Sequence, residues 1–275
     1  MPELPEVEVV RRGLETHLLG RILEQIVVED PRSLKRHFAG PAHFAHRLAG
    51  RTVTGIHRRG KYLWWVLDDG ASVVVHLGMS GQVLIGDSKS DHRHLRLWFV
   101  LDDCTVVSFV DQRIFGGMFV DEHDPPAAIA HIALDPLDPN FDTAEFVARL
   151  ARKKVSVKRC LLDQTVVSGV GNIYADEALW RSSLNYEQLA SSLAAEEATE
   201  LLGHVRDVMN EALAQGGTSF DALYVNVNGQ SGYFSRSLEV YGRAGEPCAR
   251  CGTAIVRETF MNRGSHFCPR CQQPR

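Results

Sequence analysis

Four cysteines near the carboxyl end constrain this chain more than any other feature. They read Cys248-x2-Cys251, sixteen intervening residues, then Cys268-x2-Cys271. Each pair can close a turn whose backbone N–H groups face the thiolates, and two such turns supply four sulfurs in a tetrahedron. That donor set fits a structural zinc ion, with iron as the alternative metal. All four positions are filled by protein, so the ion is expected to fold a small module and do no chemistry. A disulfide framework is not expected, because the amino terminus is acidic and proline-containing and does not read as an export signal. Cys104 and Cys160 stand apart in apolar surroundings and are expected to be buried free thiols.

The rest of the 275 residues is long enough for one large or two ordinary domains. No apolar run reaches membrane-spanning length, so the expectation is a cytoplasmic protein with no membrane partner. A helix is predicted from Pro5 to about Leu19, with Val7, Val10, Leu14 and Leu18 on one face. Short runs rich in Val, Leu, Ile and aromatics follow, at 22–29, 52–57, 62–67, 72–76, 82–85, 94–101, 105–109 and 118–120. Clusters such as Asp68-Asp69-Gly70 and Asp102-Asp103 punctuate them, a rhythm of antiparallel strands in a sandwich or barrel. Phe38–Leu48 has a helical pattern. Asp135-Pro136-Leu137-Asp138-Pro139 is a stiff polar connector and the clearest boundary. Helices are predicted beyond it at 143–152, 156–162, 173–182 and 194–215, and a glycine- and asparagine-rich stretch, 216–232, leads to the cysteines. The fold class expected is α+β: an amino-terminal β-sandwich with flanking helices, then a helical domain, then a zinc ribbon.

The amino terminus carries a possible reagent. Initiator methionine is normally removed ahead of a small residue such as Pro2, which leaves Pro2 as a free secondary amine. An α-amino group titrates near ~8 and a lysine near ~10.4, so the terminal amine is far more often unprotonated at neutral pH. Such an amine attacks an aldehyde-like carbon to give an electron-withdrawing iminium, and Glu3 beside it can move protons. The plainer reading is a helix entry, with Pro5 at the first helical position and Glu6 and Glu8 in the first turn. The two readings are compatible.

Other stretches point to a polyanion. Net charge is −4, so any cationic surface must be local. Lys158 follows the basic run Arg152-Lys153-Lys154. Beyond it, Gly169 and Gly171 permit a double turn between two helices, the second capped by Asn172. Its free N–H groups would suit a backbone phosphate. Between Arg243 and the end there are six arginines against two glutamates, and Arg263 falls at the turn between the cysteine pairs. His57-Arg58-Arg59-Gly60-Lys61 is a basic knot entering a strand. Met79, in Gly78-Met79-Ser80-Gly81, and Arg113 and Phe115, in Asp111-Gln112-Arg113-Ile114-Phe115-Gly116, sit on turns and together could wedge between bases. Singly, each is as well explained by packing or a solvated charge.

Taken together and in this order, these motifs resemble the formamidopyrimidine-DNA glycosylase family of helix-two-turn-helix base-excision enzymes. The match runs from Pro2-Glu3-Leu4-Pro5-Glu6 through Arg59-Gly60-Lys61, His76-Leu77-Gly78-Met79-Ser80-Gly81 and Asp111-x-Arg113-x-Phe115-Gly116. It continues through the Gly169–Glu177 turn and Gly216-Gly217-Thr218-Ser219 to the four cysteines. Leu4 separates it from the endonuclease VIII branch, which usually has glycine there. The resemblance implies a catalytic sandwich domain over 1–133, a helix-two-turn-helix domain over 134–240 and a zinc finger over 241–275. It implies an enzyme, a DNA glycosylase with abasic-site lyase activity. The enzyme would remove 8-oxoguanine and formamidopyrimidines from duplex DNA and cut the strand by β,δ-elimination. Pro2 would be the nucleophile at C1′, Glu3 the proton donor and Lys61 an active-site phosphate contact. His94, Arg113, Lys158, Asn172, Tyr241 and Arg263 would bind DNA. Met79, Arg113 and Phe115 would fill the void left by the extruded base, with Arg113 facing the orphaned cytosine. Thr218–Tyr233 would be the loop over the lesion, and Glu6 a candidate base contact. One structural Zn2+ is the cofactor expected, and damaged double-stranded DNA the partner of a monomeric chain. The rival readings are an endonuclease VIII-like enzyme for oxidised pyrimidines and a non-catalytic zinc-ribbon DNA-binding protein.

Overall fold

A computed structural model describes residues 2–218 and 226–274. Met1 and the 219–225 segment, with Ser219, Tyr224 and Val225, therefore lie outside the described residues. The chain forms two compact units. One runs to His131 and takes in the described part of Gln215–Tyr233. The other comprises Ile132–Ala214 and Phe234–Arg275.

The first unit opens with α1 (Leu4–Leu18). The helix begins at Leu4, one residue before the expected start, with Pro5 at its second position. Proline is tolerated there because N–H groups of the first turn have no partner within the helix. Val7, Val10, Leu14 and Leu18, spaced three and four apart, form its buried face. The strands are β1 (Leu23–Val28), β2 (Val53–Arg59), β3 (Tyr62–Leu67), β4 (Ser72–His76), β5 (Gly81–Gly86), β6 (Leu95–Leu101), β7 (Val106–Asp111) and β8 (Gly117–Asp121), with α2 (Gly40–Leu48) between β1 and β2. They make two antiparallel sheets, ordered β1-β6-β7-β5 and β2-β3-β4-β8. Trp65 of β3 meets Phe99 of β6 edge to face at 5.2 Å across the layer between the sheets. Cys104 corrects the expectation of a buried thiol. It is exposed on the β6–β7 turn with φ +67°, because the inward positions of that hairpin belong to Leu101 and Val106. Cys160 is buried as expected, and burial pushes its thiol up to about 11.

The second unit contains α3 (Thr143–Ala151), α4 (Val157–Leu162), α5 (Asn172–Arg181) and α6 (Ala195–Ala214), then the hairpin β9 (Val256–Phe260) and β10 (Arg263–Phe267). Leu201, Leu202, Val205, Val208, Met209 and Ala212 give α6 its buried stripe. The 134–240 domain expected from sequence is interrupted, since the described part of Gln215–Tyr233 groups with the first unit. Two contacts explain the grouping: the Thr218 N–H donates to Glu6 at 2.8 Å, and Val227 joins the sandwich core.

Candidate active site

In the first unit, the head of α1 is buried: Pro2, Glu3 and Glu6 all lie out of solvent. The Glu3 N–H donates to Glu6 Oε2 at 2.9 Å, which closes the first turn and fixes the backbone on which Pro2 is mounted. Glu6 Oε1 accepts from Thr218 at 2.8 Å, so one carboxylate ties the helix start to a segment 212 residues away in the chain. Glu8, further along, binds Arg58 at 3.0 Å and Arg11 at 3.0 Å. Burial opposes ionisation of Glu8, but these guanidiniums outweigh it and hold the carboxyl below its usual range. Arg58 of the basic knot is thus a brace for α1, while Lys61 is buried in the turn that leads from β2 into β3.

Sequence reasoning assigned no role to His76, yet the structure puts it in this neighbourhood. Its ring lies 4.6 Å from that of Tyr62, the residue after Lys61, and its Nδ1 accepts from the Gly78 N–H at 3.2 Å. Burial lowers its pKa to about 4, helped by the cations Arg36, Lys61 and Lys35. The ring is therefore neutral at pH 7 with its proton on Nε2, able to donate to an incoming acceptor. The register pairing Tyr62 with His76 across β3 and β4 was the available signal.

The wedge candidates come together. Arg113 Nη1 lies 4.0 Å from Met79 Sδ. Met79 and Phe115 are exposed, leaving apolar surface whose burial is worth roughly 1.5–3 kcal/mol per side chain. Buried Asp111 builds the mount. Its carboxylate accepts from Ser80 Oγ at 2.5 Å, from the Gly116 N–H at 2.8 Å and from the Arg113 N–H at 3.2 Å. Gly78 is required: a Cβ there would lie 2.3 Å from Gly116 N, and its φ is +62°. His94 is partly exposed on the turn that leads into β6. Its Nε2 accepts from Arg93 at 3.0 Å, and desolvation followed by Arg93 and Arg96 keeps it below its usual pKa.

In the second unit, Asn172 differs from its expected role as helix cap. Gly171 is the cap, and Asn172 is the first helical residue. Its Nδ2 instead donates to the Gly264 carbonyl at 2.7 Å, which joins α5 to the strand that begins at Arg263. Arg263 follows the turn residues Met261 and Asn262, both at positive φ (47° and 62°), as a tight hairpin requires. The next acidic residues of α5 extend the brace. Asp176 accepts from the His266 N–H at 2.8 Å and from Ser265 Oγ at 3.2 Å. Glu177 accepts from the N–H groups of Glu239, Val240 and Tyr241 at 2.8–2.9 Å. The Tyr241 ring packs against His266 at 4.7 Å. Lys158 departs from the expected surface contact. It is 0% exposed and ion-paired with Asp176 at 2.6 Å, so it supports the hairpin from inside.

The four cysteines converge, with their sulfurs all within 4.8 Å of one another. Trp180 Nε1 donates to Cys248 at 3.4 Å and the Cys271 N–H to Cys268 at 3.4 Å, the donor pattern that stabilises thiolates. The Thr253 hydroxyl and N–H bring Cys251 down to about 6. Burial, then the neighbouring thiols, pushes Cys271 up to about 12, a crowding of like groups that a dication relieves. The set fits one tetrahedral zinc ion.

Comparison with known proteins bears on the whole chain. Residues 1–118 match the Formamidopyrimidine-DNA glycosylase N-terminal domain, 132–222 the Formamidopyrimidine-DNA glycosylase H2TH domain, and 245–274 the zinc finger found in FPG and IleRS. A Formamidopyrimidine-DNA glycosylase of Mycolicibacterium gilvum is 59% identical over 99% of this chain and 98% of its own length. One from Salinispora arenicola is 58% identical over 99% and 96%. Among solved structures, MutM (Fpg) from Thermus thermophilus superposes with a TM-score of 0.89 at 37% identity, covering 100% of both chains. MutM in complex with DNA containing carbocyclic 8-oxo-G gives 0.89 at 34%, over 99% and 100%. The finger match and the four converging sulfurs establish one structural Zn2+. With the sandwich, the helical region and the finger all accounted for, the chain belongs to the formamidopyrimidine-DNA glycosylase family.

Proposed function

We propose that this chain carries out base-excision repair, removing oxidised purines from duplex DNA and cutting the strand at the site. The observation that carries this reading is the buried head of α1, where Pro2 and Glu3 stand on a turn closed by Glu6. With Met1 removed, the Pro2 nitrogen attacks C1′ of the damaged nucleotide and the base departs with the glycosidic electron pair. Glu3 protonates the sugar ring oxygen as the ring opens, giving an iminium between Pro2 and C1′. The iminium acidifies C2′; loss of that proton expels the 3′ phosphate, and a second elimination expels the 5′ phosphate. The chemistry needs an extruded nucleotide. Met79, Arg113 and Phe115 fill the vacancy, with the Arg113 fork against the orphaned cytosine. Lys61 and His94 contact the DNA from the first unit. Asn172, Tyr241 and Arg263 hold backbone phosphates from the second, Arg263 on a hairpin that the zinc ion folds. The domains are the sandwich, the helix-two-turn-helix region and the zinc finger, and a single chain carries every group named. The chain acts as a monomer in the cytoplasm, drawn to the nucleoid by DNA; no described helix is long and apolar enough to cross a membrane.

The test is a comparison of duplexes carrying 8-oxoguanine opposite cytosine and thymine glycol opposite adenine, under single-turnover conditions. Faster excision of 8-oxoguanine, leaving phosphates on both sides of the gap, is expected. Faster release of thymine glycol would place the chain with the pyrimidine-specific branch instead.

A further inference from the structure

Arg250 lies inside the first cysteine pair, in Cys248-Ala249-Arg250-Cys251, and its fork grips the end of α5. Nη1 donates to the Trp180 carbonyl at 2.8 Å and to Ser183 Oγ at 3.1 Å, and Nη2 donates to the Arg181 carbonyl at 2.9 Å. The last carbonyls of a helix have no partner within it, and the helix dipole favours a cation there. The guanidinium carbon also lies 4.0 Å from the centroid of the Trp180 ring. That indole is 6% exposed and packs among Val240, Ile255 and the cysteines, with its N–H donating to Cys248 Sγ at 3.4 Å. One ring thus has a cation over its face and a metal-ligating sulfur at its edge.

Four thiolates (−4) around a zinc dication (+2) leave a net charge of −2 in this cluster. A cation over the ring face draws electron density from the indole and makes its N–H a stronger donor, since linked polar contacts polarise one another. The N–H in turn offsets charge on the Cys248 sulfur. This donor comes from well outside the cysteine module, 68 residues before Cys248 in the chain. The second cysteine pair is held from the same place: Gln272 Nε2 donates to the Leu184 carbonyl at 2.9 Å, while its Oε1 accepts from the Cys268 N–H at 2.9 Å. We propose that Trp180 and Arg250 are positioning residues of the metal site: Arg250 fixes and polarises the indole, and the indole N–H on Cys248 sets how tightly the zinc ion is held. The site therefore extends beyond the finger at 245–274 into the end of α5. None of this depends on the repair reaction, so its failure would leave the functional reading untouched.

The experiment uses the full chain. Zinc affinity is measured by competition with a chromophoric chelator, and cobalt(II) is then put in place of zinc to read the sulfur-to-metal charge-transfer band. Trp180→Phe keeps an aromatic ring and removes the N–H. It should weaken zinc binding by about 10- to 100-fold, the usual cost of losing an outer partner of a metal ligand. The band should move to lower energy, because a thiolate stripped of its donor gives up an electron more readily. Arg250→Met keeps the length of the side chain and removes its charge; both effects should appear in the same direction and be smaller. Val240→Ala loosens the same apolar cluster without removing a donor, and should leave the band in place. If Trp180→Phe does not fold, replacing Trp180 by its benzothiophene isostere, which exchanges only the N–H for sulfur, carries the test. Either readout unchanged on loss of the N–H would overturn the proposal, as would an equal band shift in Val240→Ala, which would reduce Trp180 to packing. An Arg250→Met chain indistinguishable from wild type would overturn the part given to Arg250.

Discussion

Helices α1 and α5 solve the same structural problem for opposite ends. Each places carboxylates early in its length and uses them to hold a distant segment: Glu6 holds Thr218, while Asp176 and Glu177 hold the hairpin and the turn at Tyr241. The difference lies in what each helix presents. The residues that lead into α1, Pro2 and Glu3, are themselves the reagents of the proposed reaction. The start of α5 offers little chemistry of its own: Asn172 donates to Gly264, and Lys158 is enclosed behind Asp176. The contrast teaches that a buried carboxylate near a helix start can brace a reaction centre or a binding surface, depending on which side chains the helix start presents.

Removing the metal should break this comparison most severely. With Cys251→Ser, or after chelation, the hairpin loses the ion that folds it. Arg263 then loses its mount, and Asn172 loses the Gly264 carbonyl to which it donates. Each charge-assisted phosphate contact is worth about 1.5–3 kcal/mol, so DNA affinity should fall on the order of 100-fold or more. The first unit, to which none of the four clustered cysteines belongs, should keep its melting transition. Titration of metal-free protein with a labelled duplex, beside calorimetry, checks both halves. Unchanged affinity would remove the finger from the binding surface.

Arg113→Ala sharpens the role of the first unit. Its planar fork of donors suits the O2 and N3 acceptors of an unpaired cytosine, and a direct base contact is typically worth ~1–3 kcal/mol, about five- to 150-fold. The variant should lose most of the preference for lesions opposite cytosine over those opposite adenine. Lys61→Ala should depress both pairings by a similar factor, because a phosphate contact carries no base information. Single-turnover excision with both pairings measures this; a full cytosine preference in Arg113→Ala would show that another group reads that base.

A smaller effect concerns pH. The folded pKa of His76, about 4, lies below the ordinary value near 6.5, so between these values the unfolded chain binds more protons than the folded one. Stability should therefore rise with pH across that window and fall as pH drops through it. Between pH 7 and pH 5 the His76 contribution is on the order of 2 kcal/mol. Urea unfolding of wild type and His76→Gln at both pH values should show a steeper loss for wild type. Parallel losses would show that His76 is not held neutral.

The sequence made some of this legible because the signals are local. The three- and four-residue spacing of Val7, Val10, Leu14 and Leu18 marks α1, and the pairing of Cys248 with Cys251 and of Cys268 with Cys271 marks the metal module. The Met79, Arg113 and Phe115 turns were visible for the same reason. What escaped were contacts between residues remote in the chain. Asp111 reaches Ser80 across two strands, Asp176 reaches His266 across the domain, and Val227 finds the gap left by Gly13. Lys158 misled because a lysine after a basic run resembles a surface charge until its buried partner is known. Cys104 misled because its apolar neighbours point inward while the turn carries Cys104 itself outward.

The central claim is that the α-amine of Pro2 forms the covalent bond to the sugar. Borohydride reduction during turnover on an 8-oxoguanine duplex, followed by peptide mass analysis, tests it most directly. The account predicts a stable adduct on the amino-terminal peptide at Pro2. It also predicts that the adduct and all strand cutting vanish when extra residues precede Pro2, because its nitrogen is then a tertiary amide. An adduct on Lys61 or another lysine, or normal cutting by a chain with an intact amino-terminal extension, would contradict it.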